Sequence, residues 1–203
     1  STTVEVAVAR GAWVYPYRFR DDKARAFAVS LGAELAGPRG PARFSLSPHS
    51  MLAVESGTRI VLPSPNGATL SLAAGAVPTL AGCLRNAAAV AAAATRIGAL
   101  VAVVPAGERW PDNGLRPALE DWLGAGAIIA RLPGARSPEA QAAVDAFLGA
   151  KDDLSNRLLA CGSGRELEEY GRTDDMQLAA CLDVSRTVPQ LVDGAYTDSS
   201  AAS

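Results

Sequence analysis

The sequence predicts an α/β fold, a three-layer α/β/α arrangement around a central sheet that is mostly parallel or mixed. Three observations carry this. Helical and strand patterns alternate along the chain, and several helical patterns stop at a glycine, as at Gly11, Gly32 and Gly98. The run Leu100-Val101-Ala102-Val103-Val104 is continuously apolar, as expected of a strand buried on both faces between helices.

Taken in order, Thr3 to Arg10 reads as a helix entered through Thr2 as N-cap, with Glu5 three places on in a capping-box pattern. Ala12 to Tyr17 follows as a strand, Asp22 to Leu31 as a helix closed by Gly32, and Arg59 to Leu62 as a short buried strand. Gly37 to Pro41 is a Pro/Gly loop within the domain. The segment Pro63-Ser64-Pro65-Asn66-Gly67-Ala68-Thr69 leaves the strand as a loop. Its Pro-Asn-Gly core suits a tight turn, because Asn and Gly tolerate positive φ, and a loop in that place can also aim main-chain N–H groups at an anion.

Asn86 to Ile97 is an alanine-rich helix stopped by Gly98, and the apolar run at 100–104 follows it as a strand. Pro117 is placed as the first-turn proline of a helix through Leu119, Leu123 and Ile128, and Ser137-Pro138-Glu139 opens another. Leu154 to Leu159 continues after a break at Lys151-Asp152-Asp153. Ser163 with Glu166 forms a second capping box, Asp174 to Leu182 a last helix, and Val188 to Val192 a returning strand. Residues 1–197 are expected to form a single domain, with 198–203 as a disordered tail.

At 203 residues the chain is long enough to bury on the order of 70% of the surface its unfolded form exposes. A net charge of −2 and a pI near 5.5, with Lys and Arg scattered, argue against nucleic acid as a partner. The alanine-dominated stretch from Ala87 to Ala94 is far shorter than a membrane span, so no membrane partner is expected. Cys83, Cys161 and Cys181 are widely separated and odd in number, which fits small buried side chains in a reducing, cytoplasmic setting. With His49 as the one histidine, a multi-histidine metal site is excluded. Any bound metal should be a hard cation held by oxygen, such as Mg²⁺.

Four further blocks follow at spaced intervals: Gly82-Cys83-Leu84-Arg85-Asn86-Ala87, Pro105-Ala106-Gly107-Glu108-Arg109-Trp110, Leu119-Glu120-Asp121-Trp122-Leu123-Gly124-Ala125-Gly126, and Ser163-Gly164-Arg165-Glu166-Leu167 with Gly171 and Asp174-Asp175. Together with Pro63 to Thr69 and Val188-Pro189, they resemble the 2-phosphosulfolactate phosphatase family over nearly the whole chain. The resemblance implies a magnesium-dependent phosphatase of coenzyme M biosynthesis, a hydrolase of phosphoric monoesters. It further implies that a strand ending in an Asp-Val-Leu-type segment precedes Ser1-Thr2-Thr3 in the native protein, and that its Asp reaches the same site.

Phosphate-ester hydrolysis requires neutralised phosphoryl oxygens and a nucleophile held in line, which Mg²⁺ on carboxylate ligands commonly supplies. Glu108 and Asp121 are the catalytic candidates, and Glu108, Glu120, Asp121 and Asp174 the metal candidates. Glu120 and Asp121 diverge by about 100° on a helix, so the two cannot easily share one ion. The bland alternative for these acids is surface pairing with Arg109 and Arg116, and for Asp174 and Asp175 a capping role.

Substrate contacts are expected from Ser64, Asn66 and Gly67, from the Arg85-Asn86 helix start, and from Arg109 and Arg165, with Arg116 a weaker candidate. Trp110 and Trp122 are expected to pack rather than touch ligand. The expected partner is a small anionic phosphorylated substrate, 2-phosphosulfolactate or a similar phosphorylated hydroxy acid. A homo-oligomer is left open. The rival reading is a non-catalytic binder of a phosphorylated metabolite on the same scaffold.

Overall fold

The computed structural model describes residues 1–39 and 42–200. Part of the Pro/Gly loop, residues 40–41, and the tail residues 201–203 lie outside the described residues. In chain order the elements are α1 (Thr2–Ala9), β1 (Trp13–Tyr17), α2 (Asp22–Leu31), β2 (Glu34–Leu35), β3 (Arg59–Pro63), α3 (Pro65–Ala73) and α4 (Ala87–Ile97). They continue with β4 (Glu108–Arg109), β5 (Leu115–Arg116), α5 (Leu119–Ile129), α6 (Pro138–Ala150), α7 (Leu154–Ala160), α8 (Gly162–Glu169), α9 (Thr173–Ala180), β6 (Pro189–Val192) and β7 (Ala195–Asp198). The class is α/β, as the sequence predicts. Where the sequence reading treats residues 1–197 as one domain, the structure divides the chain into two compact units, residues 1–81 with 187–203, and residues 82–186.

The first unit is built on a mixed five-stranded sheet of order β2-β3-β1-β7-β6. β1 and β2 run parallel to β3, while β7 is antiparallel to both β1 and β6. Register fixes the two faces, because side chains alternate along a strand. Tyr15 pairs with Val61, and these residues form a core with Ala28 of α2 and Ala195, joined by Phe27, Leu31 and Leu35. Val14 pairs with Ile60 on one side and Tyr196 on the other, so these three share the opposite face. There Tyr196 meets α3, its hydroxyl 2.7 Å from Ser71 Oγ. This unit is therefore layered, with α2 and α3 on opposite faces of the sheet. Pro16 is tolerated in a central strand because β7 pairs with β1 only at Val14, leaving no ladder partner for the N–H that proline lacks.

Helix α2 spans the residues the sequence predicts. Asp21 caps its start by accepting from Ala24 N at 2.8 Å, and Gly32 ends it in the left-handed conformation, φ 58°. At α1 the expected capping box is corrected: Ser1 is the N-cap without a side-chain bond, which puts Glu5 one place past the capping-box position, and Glu5 is fully buried. The Pro63–Thr69 loop is also corrected. Pro65 opens α3, whose preset φ suits a first helical turn, and Asn66 and Gly67 lie in that turn. The expected tail starts inside a strand instead, since Asp198 ends β7 and Ser199 N donates to Val188 O at 3.0 Å.

The second unit is helical. Gly126 of α5 lets α6 approach so closely that a Cβ on it would lie 2.0 Å from Ala143 O. Ile129, Ala143 and Val144 form a core here, with Val103 packed against it. Gly164 has the same role in α8, where a Cβ would lie 2.0 Å from Leu158 O.

The expected strand at Leu100–Val104 is corrected: the segment is not part of a sheet. Val101 and Val103 are half-buried, whereas Leu100 is 96% and Val104 63% exposed. The run covers one face rather than two, because among the described residues of this unit the strand ladder is the two-residue pairing of β4 with β5. Pro117 likewise lies outside α5, whose N-cap is Ala118. The expected cap at Ser163 is also displaced: Cys161 is the N-cap of α8, its Sγ accepting from Gly164 N at 3.4 Å. Cys83 is buried as expected and Cys161 partly so, but Cys181 is exposed, and none of the three is in a disulfide. His49 is exposed in a 3₁₀ turn at Pro48–Ala53. Among the described residues, no helix is long and apolar enough to cross a membrane.

Candidate active site

In the sheet unit, the candidates Ser64, Asn66 and Gly67 follow the carboxyl end of β3. Ser64 is the N-cap of α3, and its N–H donates to Tyr17 O at 2.8 Å, extending the β1–β3 ladder by one step. The first intrahelical bond of α3 runs from Ala68 N to Ser64 O at 3.0 Å. Gly67 is held from below, because its carbonyl accepts from Ser71 Oγ at 2.8 Å, and Ser71 in turn meets Tyr196. Burial pushes the Tyr196 phenol above its ordinary range, so it serves here as a neutral hydrogen-bonding group. This end of α3 carries the positive pole of the helix dipole at the carboxyl edge of a sheet strand.

In the helical unit, most of the remaining candidates gather around the β4–β5 hairpin and the starts of α5 and α8. Glu108 stands opposite Arg116 in the hairpin. Arg116 donates to both carboxylate oxygens of Glu166 on α8, at 2.5 and 3.2 Å. That bond, reinforced by the charges of Glu166, Glu108 and Glu120, raises the Arg116 guanidinium above its ordinary value, and the same bond with the Arg116 charge lowers the Glu166 carboxyl. Arg116 thus pairs with Glu166 and feels the charges of Glu108 and Glu120. The sequence reading ranks it below Arg109 and Arg165, although its place just after the Asn113-Gly114 turn, where a hairpin would bring it back opposite Glu108, is the signal that could have found it.

Asp121 and Glu120 diverge, as helix geometry requires. Asp121 Oδ2 accepts from Gly107 N at 2.8 Å, whereas Glu120 Oε2 lies 3.9 Å from Cys161 Sγ at the α8 cap. Burial pushes the Cys161 thiol up and nearby Glu120 adds to the rise, which disfavours the thiolate. Arg109 donates to Asn113 O at 2.8 Å and so braces the hairpin turn, and Arg165 donates to Ala160 O at 3.0 Å. Arg116 also lies over the Trp110 ring, 5.4 Å from its centroid. Trp110 and Trp122 are 52% and 43% exposed, so each is only partly packed against the protein.

Arg85 and Asn86 stand apart from the hairpin in their bonding. Arg85 donates to Leu178 O at 3.1 Å, and buried Asn86 accepts from Cys83 N at 2.9 Å. Asn86 therefore closes a turn at the start of α4. Asp174 is exposed in the first turn of α9, and its neighbour Asp175 is buried.

Among the described residues, no group of three or more His, Cys, Asp or Glu side chains is placed to hold a metal ion. The donors therefore do not fit a closed protein cage.

The family comparison makes the class of this protein that of a phosphoric monoester hydrolase. The family model described as 2-phosphosulpholactate phosphatase matches residues 2–194, and the chain belongs to that family. The comparison with curated proteins gives no match.

Proposed function

We propose that the protein hydrolyses 2-phosphosulfolactate or a closely similar phosphorylated 2-hydroxy acid, with Mg²⁺ as cofactor. The observation that carries this reading is the clustering of Glu108, Arg109, Glu120, Asp121 and Arg116 at one hairpin, within a chain matched almost end to end by the family model. In the reaction, water adds to phosphorus, the phosphorus–oxygen bond to the hydroxy acid breaks, that oxygen takes up a proton, and inorganic phosphate leaves.

The substrate carries sulfonate, carboxylate and phosphate, so cations and N–H donors must converge on it. Arg109 and Arg165 each commit one guanidinium N–H to a main-chain carbonyl, and a guanidinium has five. In the helical unit Arg85 with Asn86 offers the start of α4, and in the sheet unit Ser64, Asn66 and Gly67 offer the positive end of α3, each as a candidate anion contact within its own unit. When bound, Mg²⁺ supplies charge neutralisation of the phosphoryl oxygens, with Glu108 foremost among its ligands and Glu120 and Asp174 the alternatives.

The test is release of phosphate from 2-phosphosulfolactate with Mg²⁺ and then with excess EDTA. Turnover abolished by EDTA and restored by Mg²⁺ supports the reading; binding without turnover would favour a non-catalytic role. Substrate affinity should fall by roughly 1.5–3 kcal/mol in Arg109→Ala or Arg165→Ala if each makes a charge-assisted hydrogen bond.

A further inference from the structure

We propose that Asp121 is a positioning residue, which fixes the Gly107 turn and through it the Glu108–Arg109 strand, and is not itself a ligand of metal or substrate. This rests on the reading that the hairpin belongs to the substrate site.

The hairpin cannot orient itself. Its ladder is two residues long on each side, and isolated two-stranded ribbons are at best marginally stable in water. Its internal bonds, Trp110 N to Gly114 O and Asn113 N to Trp110 O, shape the turn but do not aim it at the helices. Two carboxylates do that. At the entry, Asp121 Oδ2 receives the Gly107 N–H at 2.8 Å; at the exit, Glu166 grips Arg116.

Gly107 is buried, with φ +65°, a region that favours glycine, and a Cβ there would lie 3.0 Å from Leu115 Cδ1 and 3.4 Å from Arg116 O. It immediately precedes Glu108, so any change in its main chain is transmitted at once to the acid and arginine that follow. Asp121 sits in the first turn of α5, where the dipole favours its charge, and one oxygen is already committed to the turn. Its neighbour Glu120 is directed elsewhere, toward Cys161.

The test compares Asp121→Ala, Asp121→Asn and Gly107→Ala in Mg²⁺-dependent phosphate release, with the Gly107 amide followed by NMR hydrogen exchange. Asn keeps a carbonyl acceptor. Misplacement of a reacting group can cost on the order of 10²-fold, so Asp121→Ala and Gly107→Ala should each lose about that in kcat, and the double variant little more. Asp121→Asn should recover most of the loss. The Mg²⁺ concentration for half activity should stay where it is in all three, and the Gly107 amide should lose protection in Asp121→Ala but keep it in Asp121→Asn.

The proposal is overturned if Asp121→Asn is as inactive as Asp121→Ala with a raised Mg²⁺ requirement and a protected Gly107 amide, since that is the behaviour of a ligand. It is equally overturned if the amide is unaffected in Asp121→Ala. Glu108→Gln and Arg109→Ala separate the two levels. If both turn over like the wild type, the hairpin is not at the site and the parent reading fails; if both are impaired while Asp121→Ala is not, the positioning role alone fails.

Discussion

The two compact units place their candidate residues by different means. In the sheet unit, Ser64, Asn66 and Gly67 are positioned by main chain: the β1–β3 ladder ends at Ser64, and α3 starts on the next residue. In the helical unit, Glu108, Arg109 and Arg116 stand on a two-residue ladder and are positioned by side chains from α5 and α8. Position set by the main chain survives most single side-chain changes. Position set by side chains does not, so the helical unit should be the more sensitive to substitution near its candidate residues.

The contrast is sharpest at the glycines. Gly164 and Gly126 have backbone carbonyl oxygens 2.0 Å from where a Cβ would stand, and no rotamer can relieve that overlap. Gly164→Ala and Gly126→Ala should each cost about 3 kcal/mol, at the upper end of overpacking effects. Gly32 in the sheet unit has nothing within 4 Å and only its φ of +58° to answer for, so Gly32→Ala should cost about 1–2 kcal/mol. Denaturant titration of the three variants orders them; a Gly164→Ala protein as stable as the wild type would show that the close α7–α8 approach is wrong.

A second comparison sets Ile60 against Leu100. Ile60 is fully buried in β3, whereas Leu100 is 96% exposed in a segment the sequence predicts as a core strand. Ile60→Ala should cost about 2–5 kcal/mol. Leu100→Ala should stay within about 0.5 kcal/mol, as for other exposed positions. A loss at Leu100 approaching that at Ile60 would restore the buried strand.

What the sequence revealed follows the same division. Helix α2 was legible to the residue because its signals are local, an Asp N-cap and a left-handed Gly, and β1 and β3 because three or four consecutive apolar residues must be covered. The run at 100–104 is as apolar as the Ile60-Val61-Leu62 centre of β3 but differs in what lies beside it, and a strand is defined by partners that composition does not encode. The Pro-Asn-Gly segment misled for a related reason, since proline opens helices as readily as turns. At the hairpin, Glu108 and Asp121 were legible as candidates from their place after an apolar run and in a helix start, whereas the Arg116–Glu166 pair joins residues from different elements and carried no local signal. The cap by Cys161 carried no signal, cysteine being outside the usual capping set.

The smallest effect probes the second tether of the hairpin. The Glu166 carboxyl is held below its ordinary value of 4.5 by its hydrogen bond to Arg116. A carboxylate whose folded value is depressed contributes stability that is fully present above its unfolded value and is lost as pH falls through the folded one. Glu166 is half exposed, its side chain at 52%, so the contribution belongs to the surface range of about 0.2–1 kcal/mol. Glu166→Gln should therefore melt slightly below the wild type at pH 7, and the gap should close as the pH is taken below 4.5. Added salt should narrow it at pH 7 as well, because an exposed pair is screened. A gap that persisted unchanged at pH 3 would mean that the Arg116–Glu166 bond does not depend on the carboxylate's charge, and the hairpin would then rest on the Asp121–Gly107 tether alone.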